Sequence, residues 1–189
     1  MVSRILLWAT AVALCGCELI VSPPEATRTW TFDVKDDTAG WRSLSTNDGC
    51  PSCVAMTNSV KASDGMLQFT GVVYPSEGSF AASIQFQPTM LANLAGKTIC
   101  ARVKPSANLA SGGGRITVNA GEAFIGPMLV PLASGTWNRL CFSTTLSKDK
   151  LDPNSSSPFD FTQVTQIVIE IASSPQAGAV DFSIDDVAY

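Results

Sequence analysis

The chain of 189 residues contains no histidine, which removes Ser-His-Asp triads, imidazole general bases and His-ligated metal centres from consideration. Tyrosine is scarce as well, with two residues, so four Trp and nine Phe must supply any aromatic contact surface. Only 15% of the residues are charged, with 12 Lys and Arg against 16 Asp and Glu. A net charge of -4 gives no basic footprint for a polyanion, and nucleic acid is not an expected partner. Helix-period segments are also scarce: only residues 90–95 fit a turn or two. Gly112, Gly113 and Gly114 lack the Lys-Ser/Thr and helix that would follow in a phosphate-binding loop, and they read as a flexible hairpin. The acidic residues fall in turns or near the C-terminus: Asp36 and Asp37, Asp149 and Asp152, Asp185 and Asp186. They form no pair set across a pocket, as glycoside hydrolysis requires, so no enzyme activity is expected.

The N-terminus carries the pattern of an export signal. Arg4 precedes an uncharged run at residues 5–14 (ILLWATAVAL), and small or thiol residues follow at Cys15, Gly16 and Cys17. Ten residues are too few to span a bilayer as a helix. The sequence Leu14-Cys15-Gly16-Cys17 resembles the lipobox of bacterial lipoprotein precursors, with Cys15 where Ala or Ser is usual. The resemblance implies cleavage after Gly16 and a lipid on Cys17; an ordinary soluble-secretion signal or a short buried helix is the alternative. Each buried CH₂ of such a lipid adds ~0.8 kcal/mol of membrane affinity. Residues 1–16 are thus read as a signal peptide and 17–28, with Pro23 and Pro24 at the centre, as a short stiff tether. Residues 29–189 form one domain of ordinary size. The expected location is the bacterial cell envelope, outside the cytoplasm, on the outer membrane or cell surface.

Beyond the tether, apolar residues alternate with Ser, Thr, Gln, Asp, Lys or Arg. The apolar sets are Trp30, Phe32 and Val34; Leu67, Phe69 and Val73; Phe80, Ala82, Ile84 and Phe86; and Ile99, Ala101 and Val103. They continue with Ile116 and Val118; Leu140 and Phe142; Ile167, Ile169 and Ile171; and Phe182 and Ile184. Period two means that each strand has one core face and one wet face, which antiparallel sheets permit. Turn signals such as Thr38-Ala39-Gly40, Ser63-Asp64-Gly65 and residues 152–158 separate the runs. The fold class is therefore all-β, an antiparallel β-sandwich or jelly roll.

After processing, Cys50, Cys53, Cys100 and Cys141 remain, an even number that suits disulfides in an exported chain. Cys100 alternates with the apolar Ile99, Ala101 and Val103, and Cys141 with Leu140 and Phe142, so both thiols face away from the core. Opposed on neighbouring antiparallel strands, they would sit close enough to bond. Cys50 and Cys53 are left to close a tight loop. A redox pair or half a zinc site is disfavoured there, because the motif follows Asn47-Asp48-Gly49 in a loop and no second ligand pair is spaced to join it.

Four segments resemble, in order, carbohydrate-binding-module-like jelly rolls with the galactose-binding fold. These are residues 29–33 (TWTFD) with Thr38-Ala39-Gly40-Trp41; residues 94–104 (LAGKTICARVK); residues 135–140 (GTWNRL); and residues 180–187 (VDFSIDDV). The resemblance covers nearly all of 29–189 and implies a glycan-binding module. In the last segment the apolar phase slips by one between Ile184 and Val187, which a β-bulge at Asp185-Asp186 explains. In the resembling family an Asp of the terminal DDV motif commonly helps to hold a structural calcium. Asp185 and Asp186, with Asp33 nearby, inherit that expectation of a Ca²⁺ site; a solvated acidic turn is the alternative.

Parity places Gln68, Thr70 and Tyr74, Gln85 and Gln87, Arg102, and Arg115, Thr117 and Asn119 on wet strand faces. Tyr74, Gln85, Arg102 and Arg115 are the leading candidates for ligand contact, and Tyr74 is the one aromatic placed outward. Trp41 and Trp137 are assigned to the core, at the resembling family's packing positions. The expected function is a lipid-anchored, non-catalytic, extracytoplasmic module whose partners are a membrane, through its lipid, and a polysaccharide or other glycan. The alternative is a structural or protein-interaction domain of a surface lipoprotein.

Overall fold

Alternating apolar side chains, together with turn residues at their ends, build an all-β sandwich of two antiparallel sheets. The computed structural model describes residues 28–43, 59–73, 80–106, 111–173 and 178–189. Its strands are β1 (Thr29–Trp30), β2 (Trp41–Ser43), β3 (Ser59–Ser63), β4 (Met66–Val73), β5 (Phe80–Phe86) and β6 (Thr98–Pro105). They continue as β7 (Ser111–Ala120), β8 (Ala123–Ile125), β9 (Asn138–Ser143), β10 (Gln166–Ser173) and β11 (Gly178–Ala188). The first sheet runs β3-β4-β11-β6-β9, with β1 also pairing β11, and the second runs β2-β5-β10-β7-β8. The export signal, Cys17, Cys50, Cys53 and Tyr74 lie outside the described residues.

The inner faces meet in one core. Leu67, Phe69, Ile99, Val103, Leu140, Phe182 and Ile184 come from the first sheet; Ile84, Phe86, Ile116, Val118, Ile167, Ile169 and Ile171 come from the second. Phe69 and Phe182, directly opposed across β4 and β11, stack with ring centroids 4.6 Å apart. At one end, Trp30 of the first sheet packs edge-on to Trp41 of the second at 5.6 Å and touches Phe86 and Tyr189, which joins the layers. Trp41 is buried, as expected.

The β3–β4 hairpin turns through Asp64 at φ 56° and Gly65 at φ 73°. Two left-handed residues match the twist of the strands they join, which explains Ser63-Asp64-Gly65. Three expectations need correction. Val34 is 64% exposed, because Phe32 adopts φ 54° and ends the extended run after β1. Gly113 and Gly114 are strand residues paired with Ala172 and Ile171, not a hairpin tip. A Cβ on Gly113 would stand 2.6 Å from the Val130 carbonyl oxygen, and one on Gly114 would stand 2.7 Å from Leu132 Cδ1, so glycine admits the close approach of residues 130–132. The helical turn lies at Lys148–Lys150 as a 3-10 turn, whereas residues 90–95 are irregular.

The anticipated bulge is present. β11 pairs with β6 in register through Asp185, opposite Arg102, and resumes at Ala188, opposite Cys100. Asp186 takes up the extra residue at φ 49°, and Val187 and Tyr189 return to the core. The slip also marks a change of neighbour: β4 pairs with β11 through Ile184, and β1 takes over at Val187 and Ala188.

Candidate functional site

The outer face of the first sheet is a set of polar rows crossing the strands. Register puts Lys61, Gln68, Ser183 and Lys104 in one row, Thr70 beside Asp181 in the next, and Asp185, Arg102 and Arg139 in a third. Neighbours in a row are separated by the inter-strand spacing of about 4.8 Å. These side chains point outward because the intervening Leu67, Phe69, Val103, Phe182 and Ile184 are held in the core.

A groove of about 440 Å³ opens on this face. Its lining includes Gln68 and Thr70 of β4, Asp181 and Ser183 of β11, Lys104 and Ser106 at the end of β6, and Trp137 just before β9. Trp137 is half-buried rather than a core residue, which corrects its expected place. The alternation that turns Cys141 outward also turns Arg139 and Trp137 outward, so the signal was available in the sequence. The approach to Trp137 is fastened by Asn138, whose Nδ2 donates to the carbonyls of Ala133 at 2.9 Å and Thr136 at 2.8 Å. Asn138 Oδ1 accepts from the Ala133 N–H at 2.9 Å, and the Gly135 N–H donates to the Pro105 carbonyl at 2.8 Å.

Over the indole lies Arg102, its guanidinium carbon 4.7 Å from the Trp137 ring centroid. Arg102 Nη1 is 3.5 Å from Asp185 Oδ2 and donates to Asp186 Oδ2 at 3.0 Å. On the groove wall, Asp181 Oδ1 is buried and finds no hydrogen-bond donor among the described residues. Such an acceptor is costly to bury unpaired. The groove thus offers an aromatic wall, an amide, hydroxyls, an ammonium and a carboxylate acceptor. That set suits a ligand with an apolar face and a rim of hydroxyl groups.

The other candidates stand on the opposite side of the molecule. Gln85, Gln87, Arg115, Thr117 and Asn119 belong to β5 and β7 of the second sheet or directly follow them. Arg102 and Arg115 therefore do not line one groove, and Gln85 sides with Arg115. Gln85 is only 6% exposed, and its Oε1 has no partner among the described residues. Gln87 accepts from Arg42, and Asn119 Nδ2 donates to Gln166 Oε1 at 2.6 Å.

Arg115 is tied by its guanidinium to both Glu170 and Asp152, each less than one-fifth exposed. Burial works against its charge, but the Glu170 and Asp152 carboxylates more than offset that and raise its pKa. The Asp152 carboxyl is held below its ordinary value first by the Asn154 N–H, 2.8 Å from Oδ1, and then by Arg115. Arg115 is thus committed within the protein and pins the 152–156 segment, where Ser156 and Ser155 bond the backbone of Phe124 and Gly126.

The three carboxylates expected to hold calcium have other partners among the described residues. Asp185 and Asp186 are turned onto Arg102, Asp33 Oδ2 accepts from Thr31 Oγ1 at 2.6 Å, and no three acidic or thiol side chains gather among the described residues. A hard cation needs about six to eight oxygens. The cysteine expectation is met at its described pair: Cys100 and Cys141 face each other across β6 and β9, bonded, with Cα atoms 4.1 Å apart.

No protein-family model matches the chain, and no curated protein sequence matches it. Solved structures do. The family 11 carbohydrate-binding module from Clostridium thermocellum, in complex with a β-1,3-1,4-mixed-linked tetrasaccharide, superposes with a TM-score of 0.52 at 10% identity, over 86% of this chain and 94% of the module. An agarase superposes with a TM-score of 0.57 at 9% identity, over 83% of this chain and 25% of the agarase. An exo-β-agarase gives 0.52 at 9% identity, over 85% and 24%. The chain thus spans about a quarter of each agarase chain and nearly the whole of the module. At these identities the likeness establishes the fold.

Proposed function

We propose that this protein is a non-catalytic glycan-binding module, held outside the cytoplasm on the bacterial cell envelope by a lipid on Cys17. The observation that carries the reading is the groove of the first sheet, where the half-buried Trp137 indole stands beside Gln68, Thr70, Lys104, Asp181 and Ser183. A pyranose ring offers an apolar face to an indole and equatorial hydroxyls to amide, ammonium and carboxylate groups. The lining comes from strands set about 4.8 Å apart, so a sugar chain laid across them would meet successive strands of one row.

Asp181 is the sole carboxylate among the described residues lining the groove, which supports binding over hydrolysis, since glycosidases use two. The Cys100–Cys141 disulfide supports an oxidising compartment, and Leu14-Cys15-Gly16-Cys17 supports the anchor. Mixed-linked β-glucan and agar, the sugars associated with proteins of like fold, are the first ligands to try.

Affinity electrophoresis through gels containing these polysaccharides tests the reading. Wild type is expected to be retarded by at least one, and Trp137→Ala, checked for an unchanged thermal midpoint, is expected to migrate freely. Equal retardation of the two proteins, or none for wild type on any polysaccharide, contradicts it. Membrane fractionation tests the anchor: Cys17→Ser should shift the protein to the soluble fraction, and an unshifted variant contradicts lipidation. One observation favours the second reading, a protein-interaction domain: Met128, Leu129 and Val130 are 51%, 42% and 43% exposed in one run. Absence of glycan binding would favour it.

A further inference from the structure

Arg102 packs over the Trp137 ring without lining the groove. The indole lines the groove and Arg102 does not, yet the guanidinium sits 4.7 Å from the indole centroid. One face of the ring is therefore taken by a flat cation, and what remains is offered to the groove. The guanidinium is itself held from behind by Asp185 at 3.5 Å and Asp186 at 3.0 Å.

That double grip depends on the bulge. In a regular strand two consecutive side chains point to opposite faces, so only one of the two carboxylates could reach Arg102. The slipped register between Asp185 and Ala188, with Asp186 at φ 49°, brings both to one guanidinium. Residues other than glycine adopt this conformation at a cost, and Asp tolerates it better than most. The carboxylates also offset a like charge, since Arg139 stands directly opposite Arg102 across β6 and β9. A planar guanidinium can stack and donate to two fixed carboxylates at once, which a lysine ammonium cannot match.

We propose that Arg102, clamped by Asp185 and Asp186, is a positioning residue that fixes the Trp137 indole as the wall of the groove, and that it does not itself touch the ligand. The bulge of the terminal strand then serves the ligand site of the neighbouring strands. The proposal rests on the glycan-groove reading for its consequence in affinity, but the position of the indole can be read without any ligand.

The test uses Arg102→Gln, Arg102→Lys and Asp186→Asn, the last chosen because Asn keeps the tolerance for positive φ. The Trp137 indole N–H resonance, assigned by its loss in Trp137→Phe, is recorded in each, and each is titrated with the polysaccharide that retards wild type. Arg102→Gln should move the indole resonance and weaken binding by about tenfold, the scale of one displaced anchor. Arg102→Lys should fail to restore either, and Asp186→Asn should move both in the same direction by less.

An unmoved resonance in Arg102→Gln overturns the proposal, whether binding holds, which makes Arg102 a bystander, or falls, which makes it a direct ligand contact. Full rescue by Arg102→Lys also overturns it, because charge alone would then suffice. If wild type binds no polysaccharide, the function reading fails. The indole resonance of the free variants then still decides the positioning role, moved for and unmoved against.

Discussion

At the scale of single residues, the same side-chain chemistry has opposite uses on the two outer faces. Arg115 is committed to Glu170 and Asp152 with little exposure, so it holds a loop to the second sheet. Exposed ion pairs contribute about 0–1 kcal/mol and loss of one partner of a buried pair costs about 3–5, which places Arg115→Met at roughly 1–3 kcal/mol of destabilisation. Asp152 has its folded pKa below the ordinary 3.8, through the Asn154 N–H and then Arg115. A depressed carboxyl contributes stability that is present above the ordinary value and is lost as pH falls through the folded one. The thermal midpoint of wild type should therefore drop below about pH 4, and Asp152→Asn should start lower at pH 7 and lose part of that acid slope. A variant with the full wild-type acid slope contradicts this role.

The candidate site was only partly legible at this scale. Parity correctly turned Gln68, Thr70 and Arg102 outward, but parity names a face and not a sheet. That Gln85 and Arg115 belong to the opposite side from Arg102 follows from strand order, which no single strand records. Trp137 is a different case. Its phase with Arg139 and Cys141 marked it as outward, and the competing assignment to the core rested on family resemblance.

At the scale of elements, the pairing of β6 with β9 was readable because two thiols shared an outward phase, and the register bears this out with Cys100 opposite Cys141. A loop spanning a separation of 41 residues removes about 4 kcal/mol worth of chain entropy from the unfolded state in the loop-closure treatment. Denaturant unfolding of Cys100→Ala/Cys141→Ala should show a loss approaching that figure with the fold retained; a loss below about 1 kcal/mol would mean that other contacts set this edge. The slip at Asp185-Asp186 was equally legible, since a phase error of one residue in a strand has few other causes. The Gly run misled because it is ordinary turn chemistry, and the reason for Gly113 and Gly114, Val130 and Leu132 pressing on the β7 backbone, comes from a segment distant in sequence. Val34 misled for a similar reason: three alternating residues suggested a strand that Phe32 at φ 54° ends.

At the scale of the whole molecule, a sandwich has two outer faces, and here they carry different chemistry. The second sheet carries the internally committed Arg42, Arg115 and Asn119, whereas the first carries the groove with the indole and Asp181, whose Oδ1 has no partner among the described residues. The all-β class was evident from period two throughout, but the difference between the faces emerged only once the two layers were assembled. The most direct test is a ¹⁵N–¹H NMR titration of the folded domain with a soluble fragment of the polysaccharide that retards it. The account predicts that perturbations gather at Gln68, Lys104, Trp137, Asp181 and Ser183. Perturbations gathered instead at Ser83, Gln85, Thr117 and Val168 of the second sheet, or scattered over both faces, would contradict it.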